Sequence, residues 1–259
     1  MLEKALLICD EIVKRGVEEV VLFHSASGKD SIALLDILAP RFKRVVCVFM
    51  YVVKDMEHIS RYINYACRKY PSCEFVQIPH FALFSYIKYG YMGHKCDPKQ
   101  RLYNMFDLTE MVRKKYNIEW AFYGFKQSDS LNRRCMLRTY TLEAINESTK
   151  KCYPLSHYKN KDILDYIRNA RLIQPERYGN GQSSGQNITD VDYLLYLRDK
   201  YPNDLTRLYR EFPDCERLLF EYDYKKRTEN NQKHIHHGEK ERVGDFGNAR
   251  HQKAADSVK

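Results

Sequence analysis

Seven consecutive residues, Ser25-Ala26-Ser27-Gly28-Lys29-Asp30-Ser31, gather small, hydroxyl-bearing and charged side chains at one point of the chain. They follow the apolar run Val20–Phe23 and precede Ile32, Leu34, Leu35 and Leu38, which recur at helical spacing. A buried strand that turns into a helix this way presents the free backbone N–H groups of the first turn and the positive end of the helix dipole. Small residues in front of that turn let an anion, most commonly a phosphate, approach the backbone closely. The same residues would also serve as an ordinary strand-to-helix turn with Asp30 or Ser31 as N-cap. Lys29 and the hydroxyls of Ser27 and Ser31 add a cation and donors at the same spot, and tip the balance toward anion binding.

A second cluster, "YGFKQSDSLNRR" (Tyr123–Arg134), follows another short apolar run. Its spacing is G-x-K-x-x-D-S-x-x-R, carried by Gly124, Lys126, Asp129, Ser130 and Arg133. A third stretch, "YPLSHYKNKDILDYI" (Tyr153–Ile167), is a short apolar entry to a helix and by itself only a packing signal.

The elements that must hold these clusters are legible as periodicity. Apolar runs at 17–24, 44–53, 74–78 and 120–123 read as strands, and the first two are continuous enough to be covered on both faces. Helical spacing at 1–15, 30–38, 55–70, within 80–91 and at 99–116 alternates with them, which predicts a doubly wound parallel α/β sheet. In such a sheet the loops after the strands share one edge, so the first two clusters would face a common anion. Beyond lie a helix at 160–172, a Gly/Ser/Gln stretch, a helix ending near Lys200 with Thr189 and Asp192 as its capping box, and two further short helices. This predicts a nucleotide-binding α/β domain over 1–172, a loop and helical extension over 173–224, and a basic, unstructured tail over 225–259. The tail holds nine Lys/Arg against five Asp/Glu, part of a net charge of +9, and is the part suited to an anionic partner.

Nine residues, Val45–Val53, form the longest apolar run, well short of the ~20 needed to cross a membrane as a helix. Eight scattered cysteines without a C-x-x-C pair fit a reduced, cytoplasmic protein.

Taken together and in order, the three clusters resemble the phosphoadenosine phosphosulfate (PAPS) reductase family of the PP-loop, or adenine-nucleotide alpha-hydrolase, superfamily. The family's S-G-G-x-D-S loop is similar to Ala26-Ser27-Gly28-Lys29-Asp30-Ser31. Its G-x-R-x-x-E-S-x-x-R signature is similar to the second cluster, with Lys126 and Asp129 as conservative changes. Its P-[IL]…D-[IV] element resembles Pro154-Leu155, Tyr158 and Asp162-Ile163. The resemblance implies ATP or PAPS as ligand, with Mg²⁺ as a companion that Asp30 could help hold. It implies phosphate contacts from Ser25, Ser27, Gly28, Lys29, Ser31, Lys126, Ser130, Arg133 and Arg134, and backbone contacts to adenine from Tyr51 and Val52. Lys29, Asp30 and Arg133 are the residues assigned to catalysis at the phosphates.

The chain departs from the family where reductase thiol chemistry would sit. The C-terminal E-C-G-[IL]-H motif is absent, and Gln186 stands where many relatives place a cluster cysteine, so no iron–sulfur cluster is expected. Three readings stay open: an enzyme of sulfur or adenylation chemistry, an inactive nucleotide-binding module serving a larger assembly such as a bacteriophage's (placing it in the host cytoplasm or virion), and a nucleic-acid thiolation enzyme.

Overall fold

The computed structural model describes residues 2–178 and 187–229. The chain divides into two compact units, residues 1–213 and 214–259. The first unit is built on six strands: β1 (Glu19–His24), β2 (Arg44–Tyr51), β3 (Cys73–Pro79), β4 (Ala121–Tyr123), β5 (Ile145–Asn146) and β6 (Lys151–Cys152). Their order across the sheet is β3-β2-β1-β4-β6-β5, parallel throughout except for the β5–β6 hairpin. This is the expected doubly wound sheet. The antiparallel hairpin and the helix Leu131–Arg138 were not foreseen, because two-residue strands carry no periodicity.

The continuous apolar runs of β1 and β2 are explained by burial on both faces. On one face Val21, Phe23, Val46, Val48, Ala121 and Tyr123 pack with Val112, Ile118, Leu137 and Tyr153. The rings of Phe23 and Tyr123 stack at 5.1 Å, and those of Tyr123 and Tyr153 at 5.6 Å. Helix α1 is Glu3–Lys14, and α2 (Lys29–Leu38) is buried along most of its length, from Ser31 through Leu38. Helix α3 (Glu57–Lys69) returns the chain from β2 to β3, and α4 (Phe81–Tyr89) and α5 (Met105–Tyr116) carry it from β3 across to β4. The chain therefore runs outward from β1 to β2 and β3, then crosses to β4 on the other side of β1. The crevice at the carboxyl ends of β1 and β4 is the topological switch point where ligands of such sheets bind.

The helix expected over 99–116 begins only at Met105. Asn104 accepts from the N–H groups of Phe106 (2.7 Å) and Asp107 (3.0 Å), and Asp107 accepts from the Asn104 N–H (2.9 Å), a complete capping box. Helices α6 (Leu131–Arg138) and α7 (Asn160–Asn169) follow. In α8 (Val191–Lys200) the cap is Asp190, accepting from the Asp192 N–H, and not Thr189 as its spacing suggested. Helix α9 is Pro202–Glu211, opened by proline at its first position. In the second unit a helix spans 215–229, carrying helical structure five residues past Tyr224. Arg217 and Glu221 pair on it at 3.2 Å. Among the described residues no helix is long and apolar enough to cross a membrane.

One long-range contact completes α3. Its N-cap, Met56, has no side-chain acceptor for the orphan N–H groups of the first turn. Asp204 of α9 supplies one from elsewhere in the chain: its carboxylate accepts from the N–H groups of Glu57 (2.6 Å) and His58 (3.0 Å) and lies 2.8 Å from His58 Nδ1. Asp204 is fully buried. Burial opposes its charge, but His58 and the two backbone donors outweigh that and hold its pKa below the usual carboxylate range. Asp204→Ala removes the acceptor of the Glu57 and His58 N–H groups and the partner of the buried His58 ring, and is expected to cost about 3 kcal/mol in urea unfolding; an unchanged midpoint would refute the cap.

Candidate anion site at the switch point

The first loop is shaped by four local constraints. His24 ends β1 and is buried; its Nδ1 accepts the Ala26 N–H at 2.9 Å. Ala26, also buried, takes a left-handed φ of 53°. Ser31 Oγ accepts the Ser25 N–H at 2.8 Å, with the two hydroxyls 2.9 Å apart, closing the loop onto α2. Gly28 has an ordinary φ of −74°, and a Cβ there would lie 2.2 Å from Ser25 Oγ, so a larger residue would turn that hydroxyl away from Ser31. Gly28 is the N-cap of α2, and among the described residues no side chain caps that first turn. Asp30 and Ser31, the two candidates for an ordinary cap, are engaged elsewhere.

The second loop meets the first through a charged staple. A Cβ on Gly124 would sit 3.0 Å from Asp30 Cβ, so glycine there lets the loop after β4 lie against α2. Lys126 is only 1% exposed, with Nζ 2.8 Å from Asp30 Oδ1 and 3.0 Å from Asp129 Oδ1. Lys29 Nζ stands 3.1 Å from Asp30 Oδ2. Asp129 Oδ2 accepts from the Lys126 N–H (2.9 Å) and from Arg133 (2.7 Å). Burial works against the Asp129 carboxylate, but the Lys126 backbone and ammonium and the Arg133 guanidinium overcome it and lower its pKa. Three cations and two carboxylates leave this network one positive charge in excess. The Arg133 guanidinium lies 4.0 Å above the ring of Phe125, a cation–π contact that fixes its height over the loop.

The third stretch acts as a brace. The Gln127 N–H donates to the Ser156 carbonyl and the Ser128 hydroxyl to the Tyr158 carbonyl, each at 2.9 Å. Ser156 in turn donates to the Glu143 carbonyl at 2.6 Å. What the sequence offered as packing alone therefore holds the second loop in place.

Ser25, Gly28, Lys29, Asp30, Ser31, Lys126 and Arg133 are thus brought into one connected group. Ser27 is half-buried in the same loop. Ser130 caps α6, accepting the Arg133 N–H at 3.2 Å. Arg134 is exposed on α6 and has no ion pair among the described residues. Lys126, expected among the phosphate contacts, is interior and balances two carboxylates. Tyr51 and Val52 lie apart from this group, at the end of β2, where they line a cavity of about 390 Å³ with Val53, Lys54 and Leu83. The Tyr51 carbonyl already accepts the His80 N–H at 2.8 Å.

His24 and Phe125 were not anticipated as site residues. The trace of His24 in the sequence was a polar ring closing an otherwise apolar strand, and that of Phe125 its place beside Lys126 within the motif.

A small-residue loop between β1 and α2, at the switch point of a doubly wound sheet, is the PP-loop arrangement. Residues 20–248 match the phosphoadenosine phosphosulfate reductase domain, and the chain belongs to that family. Among solved structures it is similar to the U34-tRNA thiolase NcsA from Methanococcus maripaludis with its [4Fe-4S] cluster, at 13% identity and a TM-score of 0.45, over 84% of this chain and 78% of that one. It is also similar to the NH3-dependent NAD synthetase from Campylobacter jejuni subsp. jejuni NCTC 11168 in complex with nitrate, at 13% identity and a TM-score of 0.46, over 82% of this chain and 91% of that one. No curated protein matches the chain.

The expectation that no iron–sulfur cluster belongs here is corrected by the first of these structures, which holds one. Among the described residues no three His, Cys, Asp or Glu side chains converge as a ligand set. Cys67, Cys96 and Cys135 are exposed, and Cys9, Cys47, Cys152 and Cys215 are buried. Gln186 lies outside the described residues.

Lys126→Met removes the charge between two carboxylates at a buried position and is expected to cost about 3 kcal/mol of stability by denaturant titration. Retention of the wild-type midpoint would show that the staple contributes nothing. A second expectation follows from His24, whose pKa burial pushes down to about 4 from 6.5. The unfolded chain takes up this proton near 6.5 and the folded chain only near 4. The neutral imidazole's contribution is therefore complete above pH 6.5 and lost as pH falls from there toward 4, by about 3 kcal/mol at the acid end. Between pH 7 and 4 the unfolding free energy of wild type should fall by about 3 kcal/mol relative to that of His24→Phe; parallel curves would refute the shift.

Proposed function

We propose that the protein binds an adenine nucleotide, ATP or PAPS, with its phosphates on the loop 25–31, and acts at those phosphates in sulfur or adenylation chemistry. The observation that carries this reading is the uncapped first turn of α2 lying beside a charge network with one positive charge in excess. Free N–H groups and a cation aimed at one point stabilise negative charge growing on phosphoryl oxygens, and they need no covalent nucleophile to do so. Family membership supports the class of ligand.

The residues divide the work. The backbone of Gly28–Ser31 and the Lys29 ammonium would take the phosphoryl oxygens. Asp30 holds Lys29 from one side and Lys126 from the other, so that Lys29 is presented with little rotamer freedom left to lose. Arg133, 40% exposed and anchored on Asp129 and Phe125, would meet the distal phosphate or sulfate, with Arg134 one residue further on. Tyr51 and Val52 would receive the base at the end of β2, where the cavity opens.

Calorimetric titration with ATP and with PAPS tests binding, and pyrophosphate or sulfite release separates adenylation from sulfur transfer. Lys29→Ala should weaken binding by about 1–3 kcal/mol, the scale of a charge-assisted hydrogen bond. Unchanged affinity in that variant would remove the phosphates from this loop, and no heat with either nucleotide would end the reading.

A further inference from the structure

His24 follows four apolar residues of the strand, Val20, Val21, Leu22 and Phe23, all buried. Its Nδ1 accepts the Ala26 N–H, so that nitrogen carries no proton and the ring's hydrogen resides on Nε2. Nε2 is buried and has no hydrogen-bond partner among the described residues. The ring stands perpendicular to that of Phe75, with centroids 6.1 Å apart. A phenylalanine or leucine would fill this space without leaving a donor unpaired. The one thing an apolar side chain could not do is accept from Ala26.

Ala26 needs that acceptor. It is fully buried, so its N–H has no access to water, and it holds a left-handed conformation that an L-residue adopts at a cost. Its torsion sets the direction in which Ser27, Gly28 and the first turn of α2 leave the strand. The Ser25 N–H is pinned separately by Ser31, so the loop is tied at two consecutive N–H groups, one by a hydroxyl and one by an imidazole.

We infer that His24 is the positioning residue of the anion loop: its neutral imidazole, through Nδ1, holds Ala26 left-handed and so presets the N–H groups of residues 27–31 before any ligand arrives. Burial favours the neutral ring, which is the form that can accept. For the identity of the ligand the inference rests on the adenine-nucleotide reading; for the shape of the loop it does not.

Two substitutions separate the hydrogen bond from the packing. His24→Asn places Oδ1 where Nδ1 stood and keeps an acceptor with less bulk. His24→Phe keeps a buried ring without an acceptor. The first readout is amide hydrogen exchange of Ala26 in the ligand-free protein. Protection should fall about tenfold or more in His24→Phe and return to within about threefold of wild type in His24→Asn. ATP affinity should follow the same order, about tenfold weaker in the Phe variant and largely restored in the Asn variant. A merely space-filling role predicts the reverse ranking, since Asn leaves the larger void. Equal exchange in wild type and His24→Phe, or equal loss in both variants, would overturn the inference. If wild type binds neither ATP nor PAPS, the nucleotide reading falls, while the exchange measurement still decides the role of His24. Should His24→Phe fail to fold, His24→Leu against His24→Asn makes the same comparison.

Discussion

The arrangement of the switch point depends on one buried cation. Lys126 sits between Asp30, in the first turn after β1, and Asp129, in the loop after β4. The two segments come from opposite sides of the chain crossover and share no backbone hydrogen-bond ladder beyond the short β1–β4 pairing. An ammonium at 1% exposure is tolerated only when its charge is matched, and here two carboxylates match it. Gly124 makes the approach sterically feasible and Lys126 makes it electrostatically favourable. Everything that follows, including the restraint on Lys29 and the orientation of Arg133, is secured to those two carboxylates.

This places a neutralised interior next to a surface that keeps excess positive charge. Asp30 and Asp129 each face two cations, and the surplus falls on Lys29 and Arg133, both more accessible than the interior Lys126. An anion arriving at the edge of the sheet would meet side chains already oriented by the carboxylates behind them, so little ordering remains to be done on binding. The brace from Ser156 and Tyr158 extends the same logic outward, holding the second loop by its backbone where the charges do not reach.

Much of this was legible from the residues in order. The continuous apolar runs announced a parallel sheet, and small residues between strand and helix announced the first loop, because both signals are local. The spacing of the second motif gave its members but not their assignments. Nothing in G-x-K-x-x-D-S-x-x-R says that the lysine points inward, since that depends on Asp30, almost a hundred residues earlier. The late start of α5 was hidden because it is set by the reciprocal cap between Asn104 and Asp107, which apolar periodicity does not report. His24 was passed over for a related reason: a lone imidazole at a strand end reads as core until the left-handed residue two positions on is seen.

The capping of α3 by Asp204 bears on how the chain is made. The helix begins at Glu57, and the acceptor for its first N–H groups is 147 residues away. At ordinary translation rates of about 5–20 residues per second, roughly 7 to 30 s separate the two on the ribosome. During that interval the residues of β1, β2 and β3 are already available, whereas the first N–H groups of α3 have no access to the acceptor that caps them in the finished fold. Only when α9 emerges and docks does that corner acquire its final order, which makes the carboxyl-terminal helices of the first unit a late clasp on a scaffold laid down much earlier.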